Sequence, residues 1–152
     1  MTGVGEAPER CVTLPVRGAP DTVAGMPAQL NHTIVAARDA LESATFLSEI
    51  LGLPAPVRFG HFQAVSTGND VSLDYATVGP DDEITPQHYA FLITEDEFDE
   101  VFARVTARDL PYWADPRQNH PQEISTEHGR RFYFLDPSGH YLEVLTVAYT
   151  PW

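Results

Sequence analysis

Cysteine is nearly missing from this 152-residue chain. Cys11 stands alone, which excludes an internal disulfide and a cysteine-built zinc site. Positive charge is scarce too: nine Lys and Arg face 22 Asp and Glu, for a net charge of −13. A surface of that sign repels phosphate backbones and anionic headgroups, so neither nucleic acid nor a membrane is an expected partner. It favours a cationic or neutral small molecule, or serves solubility alone. No hydrophobic run reaches the length of a membrane span. The first 25 residues, with Pro8, Pro15 and Pro20 among scattered glycines, lack the apolar segment of a secretory signal and read as an irregular arm. A lone thiol in such a chain fits a reducing, cytoplasmic setting.

What is present is written nearly twice. "LNHTIVAARDALESATFLSEILGLP" (Leu30 to Pro54) and "QHYAFLITEDEFDEVFARVTARDLP" (Gln87 to Pro111) each open on a short alternating strand with a histidine at its start. Each passes into a helix and closes on Leu-Pro. The second helix is announced by Thr94 with Glu97 three residues on, a capping box, ahead of the apolar stripe Phe98, Val101, Phe102 and Val105. For the first, Asp39 is the expected N-cap and Leu41, Ala44, Leu47 and Leu51 the expected stripe. Farther on, "DVSLDYATV" (Asp70 to Val78) lies over "GHYLEVLTV" (Gly139 to Val147), with Leu73-Asp74 on Leu142-Glu143. The chain therefore reads as α+β, two βαβββ copies over about 28–79 and 86–149. The second copy is longer by "ADPRQNHPQEISTEHGR", a polar loop of the kind that serves as lid, substrate contact or plain surface.

Duplication makes four polar residues stand out. His32 and His88 begin the first strand of each copy, and Asp74 and Glu143 sit in the last. A carboxylate in a run as apolar as that around Glu143 costs several kcal/mol unless something compensates it. Strand alternation points His32 with Leu30 and Ile34, His88 with Ala90 and Leu92, and Glu143 with Tyr141 and Leu145. Singly, each of the four has an ordinary structural reading. Together, at equivalent positions, two imidazoles and two carboxylates form a ligand set for a divalent cation, whose charge offsets the burial of the acids. Sites of two histidines and one carboxylate leave positions open for substrate or dioxygen.

These residues, with "GRRFYFLDPSGHYLEVLT" (a strand, an Asp-Pro-Ser-Gly turn and a strand ending in Leu-Glu), resemble the vicinal oxygen chelate superfamily. That superfamily holds glyoxalase I, bleomycin-resistance proteins, fosfomycin-resistance enzymes and extradiol dioxygenases. The likeness runs from Leu30 to Tyr149 and makes 26–152 one domain. It implies two βαβββ modules whose curled mixed sheets enclose a metal or ligand cleft, completed in a homodimer. It puts His32, His88 and Glu143 on metal-ligand positions, and Asp74 where glyoxalase I has a further glutamate. The shorter aspartate weakens that ligand and a glyoxalase assignment with it. The remaining trio resembles that of the dioxygenases and fosfomycin-resistance enzymes, with Fe²⁺ favoured over Mn²⁺, Zn²⁺ or Ni²⁺. For a neighbouring acid/base group the resemblance offers His128, with His120 and His140 beside it. Tyr133 is placed either to hydrogen-bond a group held at the metal or to line the barrel. Arg117 and Arg130 pair with substrate oxygens or are surface charges, and Tyr112 and Trp113 form an apolar wall.

Two functions follow from the resemblance. One is a metal-dependent enzyme that chelates a small organic substrate through vicinal oxygens, dioxygenase-like rather than lyase or isomerase. The other is metal-free binding of a drug or metabolite in a dimer cleft, as in bleomycin-resistance proteins. Acidity and Trp113 suit the second; the His, His, Glu trio does not.

Overall fold

The computed structural model describes residues 28–149. The expected arm over 1–25 and Cys11 lie outside them. The first module runs β1 (His32–Ala37), α1 (Ala40–Leu51), β2 (Val57–Phe59), β3 (Phe62–Ser66) and β4 (Ser72–Thr77). The second runs β5 (His88–Leu92), α2 (Glu95–Ala107), β6 (Tyr112–Trp113), β7 (Arg131–Leu135) and β8 (Tyr141–Leu145). Each forms a four-stranded mixed sheet, ordered β1-β4-β3-β2 and β5-β8-β7-β6, in which the first two strands are parallel and the rest antiparallel. The two βαβββ copies expected from the sequence are thus present, and neither sheet closes on itself.

Local chemistry sets the helices. Asp39, in extended backbone, accepts the N–H groups of Leu41 and Glu42 at 2.9 and 3.0 Å, satisfying donors that a helix start leaves free. The helix stops at Gly52, whose φ of 70° suits glycine. In α2 the Thr94–Glu97 capping box forms in both directions. Phe98, Val101 and Val105 are buried, with Phe102 at the edge.

In α1 one detail of the expectation fails. Leu41 is 56% exposed, and the buried face is made by Ala40, Ala44, Leu47 and Ile50 with Ser43 and Ser48. The buried positions Ala40, Ser43, Ala44, Leu47 and Ile50 keep helical spacing, and Leu41 falls one residue off that stripe.

One apolar core spans both modules. Val35, Val65, Leu73 and Tyr75 supply it from the first sheet, and Phe132, Phe134, Leu142 and Val144 from the second. Edge-to-face contacts of Phe98 and Phe102 on Phe132, at 5.3 and 5.5 Å, order its centre. A polar seam joins the modules beside this core. The imidazole of His140 donates from Nε2 to the Ala36 carbonyl (2.8 Å) and accepts the Gln87 N–H at Nδ1 (3.0 Å). Asp136, in the turn before β8, accepts the N–H groups of Ser138 and His140 on Oδ1. Its Oδ2 and the Tyr75 hydroxyl are buried with no partner among the described residues. Burial holds both groups above their ordinary pKa values. No helix among the described residues is long and apolar enough to cross a membrane.

The opposite face of each sheet is open. On the first, Ile34 and Phe59 are 58% and 71% exposed; on the second, Leu92 is 60% exposed. His32 shares the first open face and His88 the second.

Candidate metal centre

Strand pairing builds the second face. On β7 and β5, Tyr133 and Ala90 flank Glu143 of β8, and His88 lies one row away opposite Tyr141. Paired and alternate residues share a face, so Tyr133, Glu143 and His88 converge. Glu143 is only 7% exposed, and both its oxygens are used. Oε2 lies 2.9 Å from His88 Nε2, and Oε1 accepts the Tyr133 hydroxyl at 2.9 Å. The buried carboxylate therefore has its compensation. Burial first, then the hydrogen bond and charge of Glu143, push the Tyr133 phenol up to about 12, so it stays protonated and donates at neutral pH.

These side chains line a cavity of about 830 Å³, together with His128, Arg131 and Tyr149. An imidazole nitrogen and a carboxylate oxygen 2.9 Å apart fit one divalent ion with bonds of roughly 2.0–2.2 Å. The pair accordingly fits the metal that the sequence suggested.

The first sheet carries the same frame with different fittings. Ile34 stands opposite Asp74 as Ala90 stands opposite Glu143, so His32 is placed to Asp74 as His88 is to Glu143. The contacts differ, however. Asp74 accepts from Ser72 at 2.8 Å, His32 Nδ1 meets Asn31 Oδ1 at 2.9 Å, and Ala64 occupies the place of Tyr133. Among the described residues no three His, Cys, Asp or Glu side chains come together closely enough to hold a metal. Within one chain, His32 and Asp74 therefore do not join His88 and Glu143.

The remaining candidates separate clearly. His128, with φ 56°, is on the cavity wall. His120 is bound to Asp115 at 3.0 Å inside the long loop, where Asp115 also gathers the N–H groups of Arg117, Asn119 and His120. His140 is taken up by the inter-module seam. Arg130 is held by Glu95 and Asp99, both at 2.6 Å, and lies over the Phe98 ring. Trp113 stands opposite Tyr133 on the site's face, whereas Tyr112 packs on Phe102 and Phe132. Arg131 went unremarked in the sequence, although it precedes Tyr133 by two residues and so must share its face.

Comparison with known proteins agrees with this architecture. Residues 29–144 match the model of the Glyoxalase/Bleomycin resistance protein/Dioxygenase superfamily. Glutathione transferase FosA of Serratia marcescens is 34% identical over 119 residues, 76% of this chain and 78% of that protein. The structure of oxidase ChaP-H1 is 52% identical, superposes with a TM-score of 0.77, and covers 81% of this chain and 98% of its own. A variant of FosX from Listeria monocytogenes, complexed with Mn(II) and a dihydroxypropylphosphonic acid, shares the fold. It is 20% identical, with a TM-score of 0.60 over 81% of this chain and 93% of its own.

Proposed function

Since the chain belongs to the glyoxalase, bleomycin-resistance protein and dioxygenase superfamily, we propose that it is a divalent-metal-dependent enzyme of the oxidase or dioxygenase type. Its substrate is a small organic molecule chelated through two vicinal oxygens. The observation that carries this reading is the His88–Glu143 pair, 2.9 Å apart on the wall of the cavity. The likeness to an oxidase at 52% identity favours oxygen chemistry. Fe²⁺ is the ion preferred for such a trio, with Mn²⁺, Zn²⁺ or Ni²⁺ as alternatives. Bound there, the ion supplies Lewis acidity to the chelated oxygens. Tyr133 fixes Oε1 of Glu143 so that Oε2 is presented toward His88, and His128 is the wall residue placed to exchange a proton with substrate.

The third ligand is His32 of a second copy. The two open faces carry equivalent histidines, and laying the first face of one copy on the second face of another covers the exposed Ile34, Phe59 and Leu92. A homodimer with two cavities results, each completed by both chains. Asp74, bonded to Ser72, is peripheral to the metal. A reducing cytoplasm suits such a ferrous site.

Elemental analysis of protein purified without chelator or affinity metal tests this. Wild type should carry close to one transition metal per chain, lost in His32→Ala, His88→Ala and Glu143→Ala with melting preserved, and kept in Asp74→Ala. Wild type that takes up no metal after anaerobic Fe²⁺ reconstitution would leave the second reading, metal-free sequestration of a drug or metabolite. That reading draws on the net charge of −13 and on Trp113 beside the cavity face.

A further inference from the structure

The nine Lys and Arg positions of this acidic chain are all arginine, and three of those in the described part are held by carboxylates. Arg130 binds Glu95 and Asp99, Arg104 binds Glu100 and Arg108 binds Glu49. Arg38, Arg58, Arg117 and Arg131 enter no ion pair among the described residues, and of these Arg131 alone has an Nε–H that is buried with no acceptor. A buried donor without a partner is unfavourable, and natural proteins keep few of them. This one lies on the wall of the His88–Glu143 cavity, where Glu143 is the sole carboxylate and is already engaged by His88 and Tyr133.

The internal duplication supplies a control. Arg131 stands opposite Leu145, two residues beyond Glu143; in the first module Phe62 stands opposite Ala76, two residues beyond Asp74. The module therefore folds with an apolar residue at this position, and the guanidinium answers no need of the sheet. Its backbone is clamped as well: Arg131 and Ser125 exchange both N–H···O bonds at 3.0 Å. A permanently charged planar group thus belongs to the wall of a cavity whose one carboxylate, Glu143, is already engaged.

We infer that Arg131 anchors an anionic oxygen group of the substrate, a carboxylate or an equivalent oxyanion, while the substrate's vicinal oxygens face His88 and Glu143. The inference rests on the reading of this cavity as the active site, and it narrows the substrate to a molecule that carries negative charge. Net charge alone points the other way; Arg131 puts a positive charge on the cavity wall itself. A guanidinium reaching two oxygens of a carboxylate gives a charge-assisted, bidentate contact that a neutral amide does not match.

Side-chain NMR of the full chain tests this with benzoate against benzamide, in the metal-free protein and again after loading with diamagnetic Zn²⁺. Benzoate should shift the Arg131 Nε–H signal and benzamide should not. Arg131→Met should weaken benzoate about tenfold or more and Arg131→Lys should recover part of it. Metal content should be the same in all three proteins. Absence of benzoate binding, equal affinity in wild type and Arg131→Met, or benzamide binding as well as benzoate would each overturn the inference. Failure of the metal reading is a separate outcome: Arg131-dependent benzoate binding in a protein that takes up no metal.

Discussion

Tyr133 and Glu143 face one another across β7 and β8, and the phenolic hydrogen of the first rests on Oε1 of the second at 2.9 Å. The bond does two things. It satisfies an oxygen that would otherwise be buried bare, and it fixes the orientation of the carboxylate that also meets His88. Tyr133→Phe keeps the ring in its packing and removes only the donor. Metal affinity, measured by chelator competition, should fall about 10- to 100-fold, as is usual when a ligand's hydrogen-bond partner is deleted. Circular dichroism should remain that of the wild type. Unchanged affinity would mean that the tyrosine merely fills space.

The three histidines of the second module outside β5 have separate fates, and stability measurements should tell two of them apart. His140 uses both ring nitrogens to tie β1 to the start of β5. His140→Ala leaves the Gln87 N–H and the Ala36 carbonyl unpaired and opens a void, which should cost about 3 kcal/mol in urea denaturation. His128 is exposed, so His128→Ala should stay within about 0.5 kcal/mol of wild type while affecting turnover.

Much of this arrangement was legible in the sequence because duplication and capping are local signals. Asp39, Thr94 and Glu97 act as their spacing suggested, and the offset between His88 and Glu143 is fixed by strand pairing that the repeat betrays. Periodicity reports which residues share a face, but not which faces meet. It therefore grouped His32 with His88, although one chain keeps them on separate sheets. The role of His140 was also hidden, since its carbonyl partner is 104 residues away. Arg131 was masked by Arg130, because adjacent arginines look alike until folding ties one to Glu95 and Asp99 and leaves the other without an ion pair among the described residues.

Asp136 provides a pH test at the seam. Burial, opposed by the N–H groups of His140 and Ser138 on Oδ1, leaves its carboxyl raised above the ordinary 3.8. An acid raised in the folded state contributes stability that is complete below the unfolded value and is lost as pH rises through the folded one. At neutral pH the ionised group is therefore a burden. Asn keeps the Oδ1 acceptor and presents a donor where Oδ2 and the Tyr75 hydroxyl now lack partners. Asp136→Asn should be more stable than wild type by about 1 kcal/mol near neutral pH. The gap should close as pH falls toward the ordinary carboxyl value. A gap that is constant with pH would assign the effect to hydrogen bonding alone.

The separation of His32 from His88 and Glu143 allows a test of the two-chain site by complementation. In a dimer whose cavities each take His32 from one chain and His88 with Glu143 from the other, His32→Ala has no intact site, and neither does Glu143→Ala. A mixed dimer is different. The Glu143→Ala chain brings a sound His32 to the sound His88 and Glu143 of the His32→Ala chain, while the other cavity carries both lesions. Equal mixing with subunit exchange should therefore regain about one metal per four chains, half of the dimers being mixed. Mixing His88→Ala with Glu143→Ala should regain none, because those two residues belong to one sheet of one chain. Recovery in the first mixture and silence in the second distinguishes a shared site from one assembled within a chain, in which neither mixture would recover metal.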